Sequence, residues 1–292
     1  MPLGKDPEGV AEAIFLARAA SLGQHRDQYA FLMDSGDGSP RIAMPPFVEA
    51  LRDVVAWRAL GPEGMASFDA QAARTAFRDG RTALLIDRAE HSADWTDRAK
   101  RLPIGVVQLP GSTRVYDPAR KVWETSTSLN RPSYLPGGGG WLLGIPANLA
   151  QDRREAAIDL AKYLIQPQTA SRVLVDRAFP MVPVRVVSMG AGLPDPSNAP
   201  GVDSRGWGQA VLATLTATKI VPGLRVPEAA AYLEDLAQAR AQVLTGRSPE
   251  DALREAAANW NKRRMGFGQK KTLWYYQRSL NAIPTSPEPP PN

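Results

Sequence analysis

Apolar residues recur at three- and four-residue steps through Val10, Ala13, Ile14, Ala17 and Ala20, a period that predicts a helix over about 7–22 with Gly23 as its C-terminal cap. Pro45-Pro46 can open a second helix, because the first turn needs no amide donors, and Phe47, Leu51, Val54 and Val55 continue it to Gly61. Ser67 is placed to cap a third, ending at Gly80. Arg81-Thr82-Ala83-Leu84-Leu85-Ile86 then has the length and composition of a buried strand, as do Ile104 to Leu109 and Trp141 to Ile145. Residues 111–136 are polar and follow neither period, so they are expected to form a long loop. Asp152 and Glu155 suggest a capping box for a helix through Ile165, and Pro167 begins a further helix through about Asp176. Further helices are expected at about 204–218, 227–245 and 248–263, the last opened by Ser248-Pro249-Glu250-Asp251. Residues 179–200, rich in proline, suit a connection between lobes.

Composition narrows the classes. With 292 residues, 43% apolar and 22% charged, the chain can bury more than one core, which excludes disorder and a minimal disulfide scaffold. It has no cysteine, so thiolate catalysis and sulfur-ligated zinc are excluded. His25 and His91 stand 66 residues apart and in no HxxxH or HExxH arrangement, so neither a histidine-based metal site nor a cofactor is expected. No run approaches the roughly 18 apolar residues of a membrane span. The net charge of +5 is local: Lys262, Arg263, Arg264, Lys270, Lys271 and Arg278 face only Glu288 in residues 262–292, and the remainder of the chain is neutral.

The order of the pieces carries a resemblance. Phe77-Arg78-Asp79-Gly80 leads into Thr82-Ala83-Leu84-Leu85-Ile86. Gly139-Gly140-Trp141-Leu142-Leu143-Gly144-Ile145-Pro146, the helix from Glu155 to Leu164, Gln166-Pro167-Gln168 and Phe179-Pro180-Met181-Val182-Pro183 follow, then Pro222-Gly223 and Thr245 to Leu253. Over about residues 40–262 this series resembles the C-terminal two-thirds of family 1 extracellular solute-binding proteins, the carbohydrate-capturing subunits of ABC importers. The resemblance implies a helix-rich α/β, periplasmic-binding-protein-like (type II) architecture of two hinged lobes. It also implies a mono- or oligosaccharide held between the lobes without chemistry, delivery to ABC permease subunits, and a periplasmic or extracellular location. By the same analogy residues 1–136 and 191–264 build the second lobe, 137–190 crosses back to complete the first, and 265–292 is a basic, aromatic tail ending in a Pro-rich disordered segment.

The sequence departs from that family at its start. Met1-Pro2-Leu3-Gly4-Lys5-Asp6 is not an export signal, and the long segment that builds most of the first lobe is missing, so a truncated product, a late start or a split gene is expected. The first lobe is then incomplete and the isolated chain is expected to bind poorly.

Sugar recognition uses flat aromatic faces for C–H surfaces and planar charged groups for hydroxyls. Trp141, entered from Gly139-Gly140 where the backbone permits close approach, either stacks on a ligand or fills the core. Arg88 and Glu90, after the 82–86 strand, could meet hydroxyls or form a solvated loop. Tyr232 and Trp207 are further candidates, each with a packing alternative.

The glycine run lacks the spacing of a nucleotide loop, and no Gly-x-Ser-x-Gly elbow occurs. A carbohydrate-active enzyme would need two acids across one pocket, which sequence cannot place, so no catalytic residue is assigned. In the tail, Phe267, Trp274, Tyr275 and Tyr276 are interleaved with Lys and Arg, the chemistry of an interaction module for nucleic acid or an anionic surface. The alternative, a docked terminal helix with no nucleic-acid partner, is expected.

Overall fold

A computed structural model describes residues 1–25, 28, 30–89, 91, 98, 102–136, 143–169, 201–282 and 288–290. Its helices are α1 (Val10–Gly23), α2 (Pro45–Ala56), α3 (Ala70–Arg78), α4 (Gln151–Leu164), α5 (Ser204–Leu215), α6 (Ala229–Leu244), α7 (Pro249–Phe267) and α8 (Gln269–Ser279). Its strands are β1 (Ser112–Asp117), β2 (Val122–Asn130), β3 (Ser133–Leu135) and β4 (Ile220–Pro222). The chain divides into two compact units. Unit 1 comprises Met1–Ala73, Leu109–Gly137 and Ala217–Asn292; unit 2 comprises Arg74–Gln108 and Gly138–Thr216. Segments 74–108 and 201–216, expected in the second lobe with the terminal helices, both fall in unit 2. The reason is packing: Phe77 and Ile104 share one core with Val202, Trp207 and Val211.

In unit 1, α1 packs on α2 and on β1, and α6 packs on α7. Phe31 stacks on Phe47 at 4.7 Å, and Phe15 meets Phe47 edge-on at 6.4 Å. Gly23 is the last residue of α1, not a left-handed cap beyond it; a Cβ there would lie 2.8 Å from the Pro46 ring, so glycine lets α1 approach α2. Pro45 and Pro46 open α2, and Ser248 Oγ accepts from the Asp251 amide at 3.1 Å to cap α7, both as the sequence pattern implies. A buried pair, Glu12 with Arg240, joins α1 to α6, and Arg240 also donates to the carbonyls of Leu3 and Gly4.

The expected loop 111–136 is a sheet region. β1 and β2 form an antiparallel hairpin, and β3 pairs in parallel with β4, Tyr134 opposite Val221. Val115, Tyr116, Val122, Trp123 and Thr125 are strand-favouring residues, so local preference was present beneath the polar surface pattern. Asp117 turns the chain by accepting from the amides of Ala119 (2.8 Å) and Arg120 (3.2 Å).

In unit 2 the expected strands do not form among the described residues. Leu84 is 84% and Val107 86% exposed, and Ile104 makes one parallel bridge, to Val202. Among the described residues neither run joins a ladder; Leu85 and Val106 rest against the Phe77–Trp207 core while Leu84 and Val107 stay exposed. Trp141 and Leu142 of the third strand lie outside the described residues, as does most of the helix after Pro167 and all of the crossing at 179–200. α3 is capped by Asp69, not Ser67: its Oδ1 accepts from Ala72 N at 2.7 Å. Gly80, at φ 83°, closes α3 as expected. α4 begins one residue before Asp152, so no capping box forms; Glu155 accepts from the Gln151 side chain at 3.1 Å instead.

Candidate functional site

The sequence candidates fall into three groups. Glu90, Gly139, Gly140 and Trp141 lie outside the described residues. Arg88 is half-buried in unit 2, on a segment fixed from several sides. From α3, Arg74 grips Asp87 with two bonds, Nε to Oδ2 at 2.7 Å and Nη2 to Oδ1 at 3.1 Å, and the two side chains are 5% and 3% exposed. This fork-to-fork pairing is the strong, orienting form of a charge-assisted hydrogen bond. The next two carbonyls are also engaged: His91 N donates to Arg88 O at 3.2 Å, and Trp207 Nε1 donates to Ala89 O at 3.2 Å. Arg98 lies over the Phe77 ring and donates to Phe77 O and Thr82 O, tying the end of α3 to the start of the run.

Trp207 and Tyr232 form the third group, and both are packing residues in the structure. Trp207 is 1% exposed at the centre of the unit 2 core, where its indole N–H fixes the Ala89 carbonyl. Tyr232 is 2% exposed in unit 1, edge-on to Trp260 at 5.2 Å, and its carbonyl accepts from Trp260 Nε1 at 2.9 Å. Burial, with the nearby Glu228 charge, raises its hydroxyl above the ordinary tyrosine value. Neither ring keeps a face for a sugar. Arg74, which holds Asp87, and Arg98, which holds Thr82, have no sequence signature; only the fold brings them 13 and 16 residues along the chain to those partners.

The basic tail is docked. Trp274 and Tyr276 are buried, and the Tyr276 hydroxyl accepts from the amides of Phe31 (3.3 Å) and Met33 (3.2 Å). Arg263 is paired with Asp235, Arg264 donates to Asp37 O, and Lys271 lies over Phe267 at 5.0 Å. These rings and cations are therefore committed within unit 1 and do not form a stacking platform.

Two acids do share one open depression, Asp251 and Glu255 beside Arg247 and Arg254. Each is ion-paired, Asp251 with Arg254 at 2.6 Å and Glu255 with Arg247. The Ser248 hydroxyl and Arg254 hold the Asp251 carboxyl below its usual range, which suits a helix cap and not a proton donor.

One cluster was not foreseen from sequence. His25, after α1, meets Asp117 and Glu124 of the β1–β2 hairpin, and one donor atom from each lies within 4.8 Å of the others. The three are up to 99 residues apart in the chain, so no spacing rule could find them.

No family model matches the sequence, and no curated protein matches it. Solved structures do. A sugar-binding protein MalE from the phytopathogen Xanthomonas citri superposes with a TM-score of 0.56 at 17% identity, covering 91% of this chain and 59% of that one. Maltose-bound MalE3 of T. maritima gives 0.53 at 17% identity, with 89% and 66% covered. A Streptococcus pneumoniae solute-binding protein in complex with the blood group A-trisaccharide gives 0.50 at 14% identity, with 89% and 58% covered. The chain thus has the two-lobe α/β fold of these proteins and spans 58% to 66% of their lengths.

Proposed function

We propose that this protein captures a mono- or oligosaccharide without transforming it and serves as the substrate-binding component of an ABC importer outside the cytoplasmic membrane. The observation that carries the proposal is the fold shared over about nine-tenths of the chain with three proteins whose descriptions are sugar binding. Among the described residues no helix is long and apolar enough to cross a membrane; delivery to separate permease subunits is part of the proposal. Arg88, Glu90, Gly139, Gly140 and Trp141 are the proposed ligand contacts, all within the sequence range of unit 2. The Arg74–Asp87 pair supports this reading, since a contact residue next to a rigidly held one loses less freedom on binding. Asp87 itself, committed to Arg74, is not a ligand contact.

Calorimetric titration with maltose and longer oligosaccharides tests the proposal, on the chain and on a form extended to the length of the solved structures. Saturable binding is expected in the extended form, weakened about tenfold by Trp141→Ala through loss of ring stacking. No heat from any sugar in either form would overturn the function; affinity unchanged by the substitution would remove Trp141 alone from the site.

A further inference from the structure

We propose that His25, Asp117 and Glu124 bind a divalent transition-metal ion, zinc in particular, which clasps the C-terminal end of α1 to the β1–β2 hairpin. The donor set is one imidazole nitrogen and two carboxylates, a combination suited to zinc and not to the all-oxygen preference of calcium or magnesium. Two negative charges balance a dication, and three protein ligands leave a fourth position for water.

The hairpin register assembles the carboxylates. Asp117 stands opposite Val122, so Glu124, two residues further along β2, is its diagonal neighbour on the same face. Asn130 ties the far end of β2 to α1 by donating to Ser21 O (2.9 Å) and Gln24 O (3.2 Å), which sets His25 beside that face. His25 and Asp117 are each 7% exposed and Glu124 is half-buried, so the donors are gathered near the turn end of the hairpin.

The spacing of one donor pair matches that of two ligands on a shared ion. His25 Nε2 and Glu124 Oε2 are 3.3 Å apart. A strong N–H to carboxylate bond is shorter, about 2.7–2.9 Å. Two ligands of one tetrahedral zinc, each bonded at about 2.0 Å, are separated by about 3.3 Å. Each carboxylate is also steadied from outside through one oxygen: Asp117 Oδ1 by the Ala119 and Arg120 amides, Glu124 Oε1 by Arg120 Nη1 at 2.8 Å. Outer hydrogen bonds of this kind orient metal ligands.

The chain has no cysteine and only two histidines, which makes the test discriminating. Zinc(II) is titrated calorimetrically into the whole chain after treatment with a chelator. One ion per chain is expected, with affinity at least tenfold lower in His25→Ala and in Glu124→Gln and unchanged in His91→Ala. Cobalt(II) in place of zinc is expected to give the visible absorption of a four-coordinate site in the wild type and in His91→Ala, absent in His25→Ala. Because His25→Ala could loosen the hairpin, Glu124→Gln, which keeps shape and removes charge, provides the second variant; circular dichroism confirms its fold. Zinc affinity unchanged in both substituted chains, or no zinc binding by the wild type, would overturn the proposal and leave the cluster a histidine–carboxylate ion pair.

Discussion

Helices α1 in unit 1 and α4 in unit 2 are both 14 residues long, yet α1 has eleven buried residues, with Leu16, Ala19 and Ala20 at zero exposure, and α4 has none. Both carry apolar residues at helical spacing. In α4 that spacing leads to Leu160 and Leu164 at 55% and 46% exposure. The same contrast runs through the extended segments: Val115 and Tyr116 in the unit 1 hairpin are 7% exposed, whereas Leu84 and Val107 in unit 2 are above 80%. Amphipathic pattern therefore specifies which face a segment would bury, and burial follows only where another element supplies the opposite face. Unit 1 supplies it with α1, α2, α6 and α7. Among the described residues, unit 2 concentrates its burial in a core of Phe77, Ile104, Val202, Trp207 and Val211.

The largest test of this contrast removes the central indole of each unit. Trp260, fully buried in unit 1, is edge-on to Tyr232 and donates to its carbonyl. Trp260→Ala is expected to cost about 3–5 kcal/mol in urea unfolding, the range for deleting a large core ring. Trp207→Ala removes a similar ring from a much smaller core and is expected to abolish the protection of unit 2 amides in hydrogen exchange while those of α1 and α6 persist. Loss of protection in both units with either substitution would break the comparison.

Tyr276 probes the docked tail. Tyr276→Phe leaves the Phe31 and Met33 amides without their acceptor and should cost about 1–3 kcal/mol at neutral pH. Burial raises the Tyr276 hydroxyl above its ordinary value, against the lowering effect of those amides. The folded state therefore holds this proton more tightly than the unfolded chain, whose tyrosines ionise near about pH 10. The associated stability is intact below about pH 10 and lost as pH rises from there through the folded-state value. Denaturation midpoints measured across that window should fall more steeply for the wild type than for Tyr276→Phe; parallel curves would mean that the tail is not docked.

A smaller effect is expected at Ser248, where the cap of α7 is a single hydroxyl. Ser248→Ala should cost about 1 kcal/mol, read from thermal or urea unfolding.

Legibility followed the same division. The helices of unit 1 could be placed from sequence because capping and periodicity are local: Pro45-Pro46 and Ser248-Pro249 stand where helices begin. The hairpin was missed because Arg114, Glu124 and Ser126 interrupt its apolar pattern, while the cross-strand contacts that justify it, such as Arg114 over Trp123 at 4.7 Å, are pairings no linear reading contains. Thr82–Ile86 presents the opposite case, since it has the composition of a strand but among the described residues no ladder to join. At the candidate site, the place of Arg88 after that run is what proposes it as a ligand contact. The residues that steady its neighbours, Arg74 on Asp87 and Trp207 on Ala89, could not be read in this way, because these partners are brought together by packing. His25 has no second histidine nearby in the sequence, and its neighbours in space are carboxylates from a hairpin about a hundred residues away.

The smallest expected effect is the sharpest statement about unit 2. Leu160→Ser on α4 removes an isobutyl group that is already 55% in water, so little transfer free energy is at stake and no cavity forms. The serine's lower helix propensity sets most of the cost, about 0.5 kcal/mol or less. The matching substitution in unit 1, Leu16→Ala at a position of zero exposure, should cost about 2–5 kcal/mol. Amide exchange of α4 read alongside gives the local stability directly. If Leu160→Ser cost as much as Leu16→Ala, or if α4 amides were as protected as those of α1, the apolar face of α4 would have a covering element in solution, and the difference between the units would be one of assembly and not of packing.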